Sequence, residues 1–433
     1  MLPSQPAQEA FELADLPRLR GPRLPSALAW LQAPLLVLTA LLPLVVLPGL
    51  ERPFSTPKLV LLGIVVCTGW AVAGRQCLVG WRKLPGEFRI ALAAWLGALG
   101  ASAAFGSFVS PAALFLPLLA VGWFLLVMSV RPRAEDLALA LLVSGAVVAC
   151  VALFQFSGAD PFALAGWGPA GGLGSRMRVY ATLGNPNFVA AFLVGVLPVT
   201  FFWRPRFPAA RWLVLLVLVA EVCALLATGS RSVLPGLGIC LVWLAWVGRP
   251  ARWRQFVAAA VLLGVLAVAL APSRPLATTL RGRFYTWRIA APHATERMLF
   301  GWGPGGFAAK YPEWETQRWA SQPPAATDRA FAGLQDHAHN DYLEMLVDFG
   351  AAGLLGFLAV LVSFLRFARR EAIPIGGRLA LGASGSVVAL AGVALVDFPF
   401  MRPAELFLLW SLMAVAYLAA AEGVAGKQGK GRG

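Results

Sequence analysis

His339-Asn340, followed by Gly350 and Gly353, is the stretch whose residue types and spacing suit chemistry. It opens polar at Asp336 and runs without a break into an apolar segment. Read as a helix from about residue 338, it sets His339 and Gly350 close to three full turns apart. Both then share a face, with Gly353 near the same line. Two glycines on one stripe of a membrane helix let a neighbouring helix approach closely. A histidine heading that stripe at the water interface is held in place, and imidazole exchanges a proton near neutral pH. The same position also suits a plain polar helix cap. Lys58, Arg178, Arg231, Arg283 and Arg288 form a second set, all near the ends of apolar runs or in the long polar segment. Cations so placed suit an anion, and the planar fork of arginine donates two hydrogen bonds to a phosphate at once.

Those residues need elements to position them, and composition says which. The hydrophobic fraction is 59% and charged residues are 13%, with apolar runs of about 20 residues recurring as spanning helices require. The chain reads as an all-α polytopic membrane protein. Cys67, Cys77, Cys150, Cys223 and Cys240 lie in or beside apolar runs without metal-ligand spacing, so they read as small packing residues. No cleavable signal peptide is expected, because the tail up to about residue 26 is polar and proline-rich.

The pattern predicts about twelve spans, at 27–50, 57–79, 88–107, 111–130, 136–157, 187–203, 211–228, 232–248, 253–272, 339–365, 378–397 and 404–421. Residues 1–26 form an N-terminal tail, 27–272 carry spans one to nine, and 273–338 form one large loop. Spans ten to twelve follow over 339–421, and 422–433 form a basic tail. Placing both termini in the cytoplasm puts most Lys and Arg in the inner loops and tails, as the positive-inside rule expects. The net charge of +15 therefore needs no nucleic-acid partner; much of it is topology and attraction to anionic lipid. On this topology the loop 273–338 is periplasmic. A cysteine at Ser321 is expected to react with an impermeant thiol reagent when only the outer membrane is permeabilised. Labelling of the C-terminal tail instead would invert the scheme.

The outer cations break the rule that the inner loops obey. Long loops are exempt from it, but Lys58, Arg178 and Arg231 lie outside the long loop. Arg178 precedes Asn185-Pro186-Asn187, where Asn185 is a natural N-cap and Pro186 a natural first helical residue. The positive end of that helix suits a phosphate, although a plain capped helix start also explains the pair. Thr228-Gly229-Ser230-Arg231-Ser232 is a very short turn that pins Arg231 at the surface, where a snorkelling anchor is the alternative. Arg281-Gly282-Arg283-Phe284-Tyr285-Thr286-Trp287-Arg288 mixes cations with aromatics, which suits a phosphate beside a sugar or prenyl chain. Gly301-Trp302-Gly303-Pro304-Gly305-Gly306 matches a dinucleotide fingerprint only in spacing; without a βαβ unit it reads as a rigid turn folding the loop back over the membrane. No Asp-x-Asp pair occurs, so neither a metal nor a cofactor is expected. Glu221 and Asp348 are acids inside spans, which also suits a transporter of lipid-linked sugar, yet no repeat relates the two halves.

His339-Asn340, nine residues, then Gly350-x-x-Gly353 resembles the signature of the O-antigen ligase family and its polymerase relatives. The Arg178–Asn187 stretch, the Ser230-Arg231 turn, the Arg283-to-Trp287 spacing and the Gly301–Phe307 turn resemble that superfamily's other landmarks, in the same order, over roughly residues 50 to 400. The resemblance implies a GT-C-type transferase of the bacterial inner membrane with its site facing the periplasm. Its donor would be a glycan on undecaprenyl diphosphate; its acceptor would be a hydroxyl of lipid A-core or of another lipid-linked glycan. It further implies metal-independent inversion, with His339 accepting the hydroxyl proton and Asn340, Gly350 and Gly353 in support. Lys58, Arg178, Arg231, Arg283 and Arg288 would then hold the diphosphate, whose charge grows as the bond breaks.

Overall fold

The computed structural model describes residues 26–167, 179–248, 276–325, 327–333 and 335–430. All regular structure among them is helical. The longer helices are α1 (Gln32–Leu41), α2 (Thr56–Ala73), α3 (Gln76–Lys83), α4 (Gly86–Phe105), α5 (Pro111–Val130), α6 (Ala134–Phe156) and α7 (Pro186–Phe202). They continue with α8 (Arg211–Thr228), α9 (Leu234–Gly248), α10 (Leu276–Glu296), α11 (Gly306–Ser321), α12 (Asp341–Phe367), α13 (Ile373–Val393) and α14 (Pro403–Lys430). Seven helical stretches among the described residues are long and apolar enough to cross a membrane; one of them, Asp341–Val393, contains both α12 and α13. Shorter apolar helices cover Gln32–Leu44, Pro186–Phe202 and Leu234–Gly248. The span expected at 253–272 lies outside the described residues. The run expected at 57–79 is divided, because Gly74 at φ 48° ends α2 and a short α3 follows. The chain is a helical polytopic membrane protein.

Packing sorts the helices by the environment that their surfaces meet. In α14, 94% of the apolar window is buried, and Phe407, Leu408, Leu409 and Trp410 are fully enclosed. A helix apolar all round belongs at the centre of a bundle, and α14 lies there against α5, α6, α7 and α13. In α8 only 17% of the window is buried, and Trp212, Leu213 and Leu216 stand exposed. In a bilayer such a face meets lipid chains, so its exposure carries no cost in water.

Residues 276–325 and 327–333 fold as a cap on one end of the bundle. Tyr285, Ile289, Phe307, Tyr311 and Trp314 of α10 and α11 form a small core with Val347 of α12. The Gly301–Gly305 turn locks this cap down. Trp302 N donates to Val347 O at 2.8 Å and Gly303 N to Asp348 O at 2.9 Å, while Ala351 N donates back to Met298 O at 2.7 Å. Those carbonyls are free because Gly350, at φ 68° and ψ −172°, breaks the α12 ladder. A Cβ at Gly350 would collide with the carbonyl of Leu299, so only glycine fits both the dihedral and the approach. This corrects the expected stripe. The helix starts at Asp341, which leaves His339 outside it; Gly350 interrupts the helix and receives a turn, not a neighbouring helix. Asp348, expected only as an acid inside a span, also has a structural role. Its carboxylate accepts from Gly305 N at 2.9 Å and from Phe307 N at 2.7 Å, and so caps α11.

Candidate active site

His339 owes its position to the chain on both sides of it. Asn340 is the N-cap of α12, its side chain accepting from Leu343 N at 3.0 Å. Before it, Trp287 of α10 donates to Ala338 O at 2.8 Å. Between these anchors His339 takes φ 51°, a left-handed value uncommon outside glycine. Asp341 then ties the start of α12 to the α13–α14 connection: its N–H donates to Ala394 O at 2.9 Å, and its carboxylate accepts from Phe400 N at 2.8 Å.

That connection brings Asp397 to the histidine. Nδ1 of His339 lies 3.8 Å from Asp397 Oδ1, an ion-pair distance longer than a hydrogen bond. Asp397 is fully buried. Its Oδ1 accepts from Phe398 N at 2.9 Å, and Ser232 Oγ stands 3.4 Å from Oδ2. Burial opposes its ionisation, but the charges of Arg402 and His339 and the Phe398 N–H outweigh burial and lower its pKa to about 2. The carboxylate is therefore a fixed negative charge facing Nδ1. A carboxylate facing one ring nitrogen orients the imidazole and leaves the other, Nε2, as the nitrogen that can meet a substrate.

Arg402 completes the cluster. It is 6% exposed, with Nη1 3.7 Å from Asp397 and Nε 2.9 Å from Glu405, off the line of a hydrogen bond. Its guanidinium lies over Phe188 and Phe398, 4.0 Å and 5.0 Å from the ring centroids. His339, Arg402 and Glu405 line a cavity of about 820 Å³ together with Lys58, His337 and Glu344. Trp95, Leu116, Phe357 and Phe400 give the same cavity an apolar side.

The expected cations divide in this frame. Lys58 reaches the cavity wall but is 1% exposed, and its Nζ donates to Val45 O, Phe54 O and Thr182 O at 2.7, 2.6 and 2.9 Å. An ammonium has three donors, so Lys58 offers the cavity its field, not a free N–H. Arg231 sits half-buried in a turn whose serines bind both sides of the site. Ser230 Oγ donates to Asn187 Oδ1 at 2.8 Å, and Ser232 faces Asp397. Arg283 is half-buried on α10; burial lowers its pKa and the charge of Asp397 acts against that shift. Arg288 points elsewhere, exposed and paired with Asp328 at 2.9 Å. Arg178 lies outside the described residues. Asn340 serves as a cap, Gly350 as the crossing point for the turn, and Gly353 is packed under the Phe349 side chain.

Sequence reasoning missed Asp397, Glu405 and the role of Arg402. One signal was present: Asp397-Phe398-Pro399-Phe400-Met401-Arg402-Pro403 sets an acid and an arginine between apolar runs, with prolines holding the segment out of a helix. Residues 214–358 match the family model described as O-antigen ligase. The matched stretch contains Arg231, Arg283, His339, Gly350 and Gly353, whereas Asp397 and Arg402 follow it. No curated protein matches the chain. The histidine, the two glycines and the Gly301 turn are interlocked inside the matched segment, and that segment is similar to the O-antigen ligase family.

Proposed function

We propose that this protein moves a glycan from undecaprenyl diphosphate to an acceptor hydroxyl, of lipid A-core or a similar glycan, on the periplasmic face of the inner membrane. The observation that carries this reading is His339 set against the buried, ionised Asp397 in the wall of a cavity that also holds Arg402. In this scheme Nε2 of His339 takes the proton of the acceptor hydroxyl as its oxygen attacks the anomeric carbon from the face opposite the diphosphate. The bond from that carbon to the diphosphate oxygen breaks, and its electron pair leaves with the diphosphate. Attack and departure on opposite faces invert the centre. Arg231 and Arg283 meet the growing negative charge, Lys58 adds its field, and Arg178 is a further diphosphate ligand in this scheme. Fixed guanidinium groups do here what a metal would do elsewhere, so the scheme needs none. The apolar side of the cavity, with Trp95, Leu116 and Phe357, suits the first prenyl units of the donor.

The test is transfer in proteoliposomes holding the lipid-linked glycan and an acceptor. The expected result is a glycan that changes covalent partner; a glycan that only changes leaflet would make the protein a transporter. Product on lipid A-core identifies a ligase, and lengthened lipid-linked glycan identifies a polymerase of the same superfamily. In this assay Arg231→Ala is expected to lose most transfer with insertion unchanged. Arg231→Lys should recover only part of it, because a point charge does not replace a bidentate fork. Full recovery by lysine, or a silent alanine, would reassign Arg231 to anchoring the turn.

A further inference from the structure

The cavity holds a second imidazole–carboxylate pair that the scheme above leaves unused. Nδ1 of His337 is 2.8 Å from Glu344 Oε1, and the other oxygen of Glu344 accepts from Ala338 N at 2.8 Å. Glu344 is 4% exposed at its side chain, whereas His337 is 31% exposed and lines the cavity. Its ring stacks on Phe398 at 4.2 Å and 18°, and His339 meets the edge of the same phenyl ring at 5.0 Å. Three contacts therefore fix the His337 ring: a carboxylate at Nδ1, an aromatic face, and a backbone held through that same carboxylate.

The fixed pair gives the opposite ring edge two distinct chemistries. With Nδ1–H committed to Glu344, Nε2 carries a lone pair when the ring is neutral and an N–H when it is protonated. A lone pair repels an anion, and an N–H on an imidazolium binds one with a charge-assisted hydrogen bond. Among the described residues Nε2 has no hydrogen-bond partner.

We propose that His337 is an anion-binding residue of this cavity, its Nε2–H donating to a phosphate oxygen of a prenyl-diphosphate-linked glycan only while the ring is protonated. The proposal deepens the reading of the donor site and rests on it. The charged groups facing the ring are Glu344 and Asp348 on α12, Asp336 on its own segment and Arg402 from the α13–α14 connection; His339 shares its segment, and Arg52 pairs with Asp336 at 3.8 Å. Burial disfavours the cation, but the charge of Glu344, its hydrogen bond and the charge of Asp336 outweigh burial and the repulsion of Arg402, and the His337 pKa is raised. A raised pKa keeps the cation present from acid pH upward past the ordinary range near 6.5, and the cation is lost as pH rises through the raised value.

The experiment is binding, not turnover. A farnesyl-diphosphate-linked N-acetylglucosamine is titrated into the full chain in nanodiscs from about pH 6 to about pH 9, across the range where histidine cations are lost. Both phosphates of this probe are diesters that do not titrate there, so any slope belongs to the protein. The wild type is expected to bind about tenfold more weakly at the alkaline end, the worth of one charged hydrogen bond. His337→Gln should bind at the weaker level throughout, with the slope gone. His337→Lys, a cation across this range, should restore tight binding without the slope, and Glu344→Gln should move the midpoint to lower pH. His293→Gln, on the far side of α10 against Trp314, serves as the unaffected control. An unchanged slope in His337→Gln, or a slope lost in His339→Gln instead, overturns the role of His337 while leaving the donor site intact. No binding by the wild type at any pH overturns the donor assignment and this proposal together.

Discussion

His339→Ala is expected to cut glycan transfer by roughly 10²–10⁴-fold, the usual contribution of a positioned base. Insertion and folding should survive, because the side chain is 35% exposed and the cap of α12 belongs to Asn340. Loss of so much activity is plain on a gel of lipid-linked product. His293→Ala should be silent, since that ring stacks on Trp314 and pairs with Glu296 away from the cavity. His337→Ala should weaken donor binding without removing the base. The pH profile gives a second check. A base must be neutral to accept a proton, so wild-type activity should fall toward acid pH. Asp397, with its pKa lowered to about 2, stays ionised through that range, so an acid limb well above it does not arise from Asp397. A folded His339→Ala protein that transfers at near wild-type rate would remove the base from the mechanism and leave the case to the arginines.

Asp397→Asn is expected to cost about 10²-fold or more in kcat, because a neutral amide neither orients the imidazole nor stabilises its cation. It should also lower thermal stability, since Arg402 is buried and loses one of its two carboxylates. The sign follows from the pKa. A folded value of about 2 lies below the ~3.9 of free aspartate, so the stabilisation is full above the free value and is lost as pH falls through the folded one. Asparagine removes that stabilisation at neutral pH. Transfer must therefore be measured per folded molecule, and the decisive comparison is the double variant. If Asp397 acts through His339, Asp397→Asn should cost little further activity in a His339→Ala background. The same large factor in both backgrounds would mean that Asp397 works independently of the histidine.

The class of the protein was legible in the sequence because membrane burial is a one-dimensional signal. Runs of about 20 apolar residues mark spans wherever they occur, and most runs named from sequence coincide with helices to within a few residues. His339, the Asn185 cap and the Gly301 turn were readable for a related reason: capping and positive-φ positions select residue types locally. Local preference misled where tertiary contact decides. A periodic reading carried the helix through His339 and Gly350, but Asn340 caps it so that it starts at Asp341, and around Gly350 the backbone groups of Val347, Asp348, Ala351 and Ala352 bond to the 298–303 turn, so it breaks at the glycine. Asp348 read as an intramembrane acid and proved to be the cap of a helix more than forty residues earlier in the chain. Lys58 read as a free cation and is bound by three carbonyls, one of them Thr182 O on a distant segment. Asp397 and Arg402 carry only a faint local mark, the proline-bounded stretch between two apolar runs. An acid and an arginine between apolar runs gain meaning only when α12, α13 and the Ser230–Ser232 turn converge on them. That convergence is set by side-chain packing across the bundle, which the order of residues along the chain does not display.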